Sequence, residues 1–215
     1  MPKLIKLLSL PYIILNKAPY SVDIGDPVYS VTKYEITLYP DAIIFCTCLR
    51  VCCAALAPVY ETFDVDVTGE GADEVKKDAK NLVIKSMLRG FEHMGAKPRG
   101  IALRALNVIP HGRGLGSSAS AIVGGLALAR SLVLTGEQYM SDEELITLAT
   151  ELEGHPDNVS AAFYGGATLA WSESKTSSVG ETKNIGRAVS LRVDDRIKAL
   201  LLVPNNQLAT AKARK

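Results

Sequence analysis

PHGRGLGSSASA, residues 110–121, is the stretch on which the fold of this chain turns. Glycines stand at 112, 114 and 116, and Ser117 and Ser118 follow directly. GIALRALNVIP (100–110) enters the stretch with the alternation of a strand, and AIVGGLALARSLVL (121–134) leaves it as a nearly all-apolar run rich in small residues, which predicts a buried helix ending at Gly136. A glycine-rich turn between a strand and a buried helix lets the backbone take left-handed conformations and approach a ligand closely. The amides at the helix start then form a concave, positively polarised anion site. A polyphosphate suits such a site, and the serine hydroxyls add donors for phosphate oxygens and an oxygen ligand for magnesium. A Walker A loop needs Gly-Lys-Ser/Thr and a dinucleotide loop needs GxGxxG. The GxGxG spacing with serine at 117 excludes both.

Working upstream, VYETFDVDVT (59–68) puts Val59, Phe63, Val65 and Val67 on one parity and Asp64 and Asp66 on the other, the pattern of a half-buried strand. Gly69 to Gly71 supply a turn, and Asn81 opens an amphipathic helix through Leu82, Val83, Ile84, Met87, Leu88 and Phe91 that stops near Gly95. Downstream, Ser141 with Glu144 forms a capping-box signature for a helix ending near Gly154. HPDN (155–158) then reads as a polar turn, Gly165 and Gly166 introduce a short strand ending at Trp171, and SESKTSSVGETKNIG (172–186) reads as a solvated loop. IKALLLVP (197–204) predicts a buried strand, with Thr210 as the cap of a helix cut short by the chain end.

The 215 residues are 47% apolar and 22% charged, values of a globular protein. With 24 basic and 23 acidic residues the net charge is +1, so no overall field draws the chain to nucleic acid or to an anionic membrane. The apolar run after Lys3 and Lys6 is broken by Pro11 and Lys17 and is followed by no small-residue cleavage pattern. A second apolar segment, 42–59, carries Arg50 at its middle, which disfavours a membrane span and leaves a buried or irregular reading. Cys46, Cys48, Cys52 and Cys53 lack the paired spacing of a structural zinc site and read as small buried thiols of a reducing, cytoplasmic compartment.

Residues 110–121 resemble the phosphate-binding motif of the GHMP kinases, the family of galactokinase, homoserine kinase and mevalonate kinase. LEGHPDNVSAAFYGG (152–166) further resembles homoserine kinase, and so does VPNNQLATAKAR (203–214), where Ala209 replaces a usual serine. The resemblance runs from about Ala55 to Lys215. It implies an α+β fold, a small mixed sheet of the ribosomal-protein type backed by helices, as the family's N-terminal ATP-binding domain over 55–203. Residues 204–215 would begin a C-terminal domain whose remainder is missing, and 1–54 carry no assignment.

By position, the resemblance implies that Pro110, His111, Gly112, Arg113, Gly114, Leu115, Gly116, Ser117, Ser118, Ala119 and Ser120 hold ATP. Ser118 and Glu153 would meet Mg2+, with Glu151 as the alternate carboxylate. His155 and Asn158 would meet L-homoserine, Arg214 would clamp its carboxylate, and Asp157 would stand with Glu153 as a catalytic residue. The expected activity is ATP-dependent phosphorylation of L-homoserine to O-phospho-L-homoserine, a step of threonine biosynthesis, by a cytoplasmic homodimer that binds neither nucleic acid nor membrane. The Ala-Thr-Ser-Ala-Asn-Leu-Gly-Pro-Gly-Phe-Asp segment with which homoserine kinases begin is not found in residues 1–54. The alternative expectation is therefore a catalytically inactive remnant that at most binds nucleotide.

Overall fold

The computed structural model describes residues 63–98, 100–176, 182–194 and 196–197, with the backbone alone of 14–18, 32–37, 49–55 and 182–183. Two strands anchor it, β4 (Phe63–Gly69) and β5 (Ile101–Asn107), paired in parallel with Val65 opposite Leu103 and Val67 opposite Ala105. Parallel neighbours need a crossover, and α1 (Leu82–His93) supplies it. Three strands precede them, β1 (Ile14–Ala18), β2 (Thr32–Thr37) and β3 (Leu49–Ala55), and the five form one mixed sheet in the order β1-β2-β3-β5-β4. The sheet therefore extends into residues 1–54. Within the apolar segment 42–59, read as buried or irregular, Leu49–Ala55 is regular strand paired antiparallel to both β2 and β5.

Alternation decides which face of the sheet is covered. Val65, Val67, Ile101, Leu103 and Ala105 are buried, whereas Asp64, Asp66 and Arg104 point to the other side. There Arg104 bonds the Asp64 carboxylate at 2.6 Å, which holds that carboxyl below the usual aspartate range. On the buried face lie α1 and α2 (Ser117–Leu132). The Asn81 side chain caps α1 by accepting from Val83 N–H at 2.9 Å, and Val83, Ile84, Met87 and Phe91 form its inner stripe. Helix α2 is buried through Ala119, Ser120 and every residue from Ile122 to Ala129. Its Gly125 lets α1 come close, since a Cβ there would sit 2.5 Å from the Val83 carbonyl oxygen and 2.7 Å from Ser86 Cβ.

A one-turn helix, α3 (Gly136–Tyr139), leads to α4 (Asp142–Glu153). The capping box expected at Ser141 and Glu144 is formed, with Ser141 N–H donating to Glu144 Oε2 at 2.8 Å and Glu144 N–H donating to Ser141 Oγ at 3.3 Å. Two expectations are corrected beyond it. HPDN is not only a turn: Gly154 ends α4 in the left-handed conformation and Asp157 opens a further helix, α5 (Asp157–Tyr164), whose Val159, Ala161, Ala162 and Phe163 are buried. Residues 172–186 are not a loop throughout, because β6 (Ala167–Thr176) and β7 (Thr182–Leu191) form an antiparallel hairpin. Polar residues sit on its exposed positions, which hides its period, while Gly186 brings β7 against Thr150 of α4. The strand expected after Ile197, the cap at Thr210, Arg214, Cys46 and Cys48 lie outside the described residues. Among the described residues no helix is long and apolar enough to cross a membrane.

Two outcomes follow from this packing. Gly125→Ala is expected to lower stability by about 1–3 kcal/mol in urea titration, because the added methyl must push α1 off α2. The Ser141 N–H, then its hydroxyl, and then His93 hold the Glu144 carboxyl below its ordinary value near 4.5. That contribution is fully present above the ordinary value and is lost as pH falls through the lowered one. Thermal melts of Glu144→Gln should therefore separate from those of the parent above about pH 5 and draw together only as pH falls through the lowered value.

Candidate functional site

The stretch 110–121 enters α2 through a backbone that only glycine adopts without strain at three places: Gly112 has φ 66°, Gly114 72° and Gly116 75°. Gly116 is the N-cap of α2, and no side chain caps the helix. A Cβ on Gly114 would meet nothing within 4 Å, so the loop is open on that side to an incoming group. Pro110, His111, Arg113 and Ser117 are half-buried and Ser118 is exposed. Leu115, Ala119 and Ser120 are buried, and the Ser120 N–H donates to the Gly116 carbonyl at 2.9 Å, so these residues support the loop from behind.

The second element is the reversal between α4 and α5. Glu153, in the last turn of α4, accepts a hydrogen bond from Ser118 Oγ at 2.5 Å across 35 residues of sequence. Glu151, the alternate carboxylate, points instead to α1, where its Oε2 lies 3.4 Å from Arg89 Nη2. One oxygen of Asp157 accepts from Asn158 N–H at 2.8 Å and also pairs with His155 Nδ1. Glu153, His155 and Asn158 are half-buried and Asp157 is exposed. Ser118 and Glu153 are thus brought into direct contact, and His155, Asp157 and Asn158 stand together beyond them.

Beside the first turn of α2 lies a pocket that the sequence reading does not anticipate. It is lined by Ser117, Ser118 and Ala121 of α2, by Glu74, Val75, Lys76, Lys80 and the start of α1, Asn81 to Val83, and by Val67, Ala105, Asn107 and His111. Both helices that open onto it lack an acidic residue in the first turn, whereas α3 and α5 each carry one and α4 carries three. Two helix starts with uncompensated positive ends make the pocket favourable to anions. The lining residues come from four separate parts of the chain, so no local motif marks them. The signal in the sequence is the bare start of α1, where Asn81 is followed by Leu82 and Val83 with no acid.

Residues 81–166 match the GHMP kinases N terminal domain. The homoserine kinase of Streptomyces coelicolor is 36% identical over 194 residues, 90% of this chain and 56% of that protein. The homoserine kinase of Mycobacterium tuberculosis is 43% identical over 161 residues, 73% of this chain and 49% of its own. A crystal structure of homoserine kinase from Cytophaga hutchinsonii aligns with a TM-score of 0.43 at 25% identity, covering 61% of this chain and 39% of that one. The chain spans about half the length of the curated relatives it matches. Residues 81–166 thus carry the GHMP kinases N terminal domain, and sequence similarity to homoserine kinases extends well beyond it.

Proposed function

We propose that this chain binds ATP with magnesium and transfers the γ-phosphoryl group to the hydroxyl of L-homoserine, giving O-phospho-L-homoserine and ADP. The observation that carries the proposal is the contact of Ser118 with Glu153 beside a loop of three left-handed glycines. The similarity to homoserine kinases supports the choice of acceptor.

Phosphoryl transfer asks little covalent chemistry of a protein; it needs positioning and charge stabilisation. The amides from Gly112 to Ser117 hold the phosphates at the start of α2, where the helix dipole favours them. Ser118 and Glu153 present oxygen atoms, the donor type a hard cation takes. Among the described residues no group of three or more His, Cys, Asp and Glu side chains could hold a metal ion. A magnesium ion bound through these two oxygens, phosphate oxygens and water fits that sparse set, and it would offset charge on the transferring group. Asp157 holds His155 and the backbone of Asn158, and these two residues meet homoserine. The acceptor oxygen bonds to the γ-phosphorus as the bond to the bridging oxygen of ADP breaks, and the hydroxyl proton passes to Asp157. Arg214, by its resemblance, clamps the substrate carboxylate.

ADP release is measured with magnesium and ATP, with and without homoserine, and with threonine as the control acceptor. ADP that depends on homoserine is the expected result. A folded sample that binds ATP but releases none would leave a nucleotide-binding protein without turnover. Glu153→Gln is expected to lower kcat/KM by about a hundredfold or more, while Glu151→Gln, whose carboxylate meets Arg89 on α1, should stay within about threefold. Gly114→Ala should cost roughly 1–2 kcal/mol of stability from its left-handed backbone alone. Because its methyl enters open space and not the core, calorimetry should show nucleotide affinity falling well beyond that loss.

A further inference from the structure

We propose that Gly186, on β7, is a positioning residue for Glu153: its bare backbone fixes where the last turn of α4 lies, and with that turn the carboxylate that meets Ser118. The proposal rests on the reading of Glu153 as the magnesium-side carboxylate and adds to it a residue on another element.

Gly186 is buried, and it is not among the glycines with positive φ, so its backbone conformation does not call for glycine. The approach of the helix does. A Cβ at 186 would stand 2.2 Å from Thr150 Oγ1, 3.0 Å from Thr150 Cβ and 3.2 Å from the Ile146 carbonyl oxygen. The main chain of β7 therefore lies directly against α4, and any side chain at 186 must part the two.

Thr150 carries that contact to the site. It is 5% exposed, its hydroxyl donates to the Ile146 carbonyl at 2.7 Å, and its own carbonyl accepts from Gly154 N–H at 2.8 Å. Glu153, which accepts from Ser118 Oγ, lies about 4.5 Å further along the helix axis. Less than one helical turn thus joins the strand contact to the carboxylate.

Both sides of the contact are held. Leu145, Ile146, Leu148 and Ala149 pack α4 into the core. Arg187, next to Gly186, pairs with Glu143 in the first turn of α4 and donates from Nε to Glu173 Oε2 of β6 at 3.2 Å. The last turn of α4 has the least backing, because Glu151 and Leu152 are exposed and Gly154 ends the helix in the left-handed conformation. A group inserted between β7 and α4 is expressed at that turn, and about 1 Å of misplacement is enough for a positioned group to lose most of its effect.

The test is a double-mutant cycle on the whole chain, read by calorimetric titration of the non-hydrolysable imido analogue of ATP with magnesium. Gly186→Ala is expected to weaken binding by about three- to tenfold in the parent but by less than about twofold in a Glu153→Gln background, which lacks the carboxylate through which it acts. A change of stability alone would act equally in both. Adding Thr150→Ala removes the hydroxyl that the new methyl meets, and should return the affinity to within about twofold of Thr150→Ala alone. Should Gly186→Ala not fold, Thr150→Ala takes its place in the cycle, loosening the same turn from the helix side, with an expected loss of about threefold in the parent and none in the Glu153→Gln background. Equal losses in both backgrounds, or no loss in the parent, would overturn the proposal and leave the nucleotide reading intact. An unaltered affinity in Glu153→Gln itself would overturn the reading of Glu153 and the proposal with it. A parent chain that binds no analogue would overturn the proposal together with the nucleotide reading.

Discussion

Helix α2 has almost no polar face, and burying it is the constraint from which the rest of the structure follows. Ala119, Ser120 and the run Ile122 to Ala129 are all buried, so the helix must be covered around most of its circumference. The sheet covers one side, α1 another, and α4 and α5 the remainder. A helix enclosed in this way cannot tilt or slide without opening voids, and interiors packed at this density resist such shifts. Its first turn is therefore fixed in space, and with it the amides that follow Gly116. The rigidity that the proposed phosphoryl transfer needs at the start of α2 is supplied by apolar packing one or more turns away, at Ile122, Val123 and Leu126.

The same packing sets the charge of the site. Gly125 admits α1 to close approach beside Val83 and Ser86, near the start of that helix, so the beginnings of α1 and α2 open on one pocket. Elsewhere the chain offsets the positive ends of its helices with acids: Glu137 in α3, Asp142, Glu143 and Glu144 in α4, and Asp157 in α5. The two helix starts at the pocket carry no such acid. An uncompensated N-terminus is slightly destabilising for a helix on its own. At this pocket that cost leaves positive potential for an anionic ligand.

Much of this was legible in the sequence, wherever a local rule and the tertiary structure agree. The alternation of Phe63, Val65 and Val67, the start at Asn81, the box of Ser141 and Glu144 and the stop at Gly154 are all formed. Elsewhere the tertiary structure decides. Helix α5 has only eight residues and follows a proline and a polar tetrad that by itself reads as a turn; its apolar face against α2 makes it a helix. Strand β7 presents mostly polar or small residues, and pairing with β6 makes it a strand. The amide of Asn107 was illegible as a pocket element because it donates to the carbonyl of Glu70, 37 residues away.

The choice between Glu151 and Glu153 shows where motif spacing ends and helix phase begins. Both precede the HPDN sequence, and the sequence alone left either as the partner of Ser118. Two residues along a helix are about 200° apart in direction, so the carboxylates leave α4 on nearly opposite sides. The phase of α4 is set at its other end, by the capping box, and along its length by Leu145, Ile146, Leu148 and Ala149, which are buried. That phase turns Glu151 to Arg89 on α1 and Glu153 to Ser118 at the start of α2. The contact at the site is thus fixed by the apolar stripe of a helix and by a serine cap twelve residues before Glu153. A shift of one residue in that stripe would separate the two oxygens while leaving every letter of the motif in place.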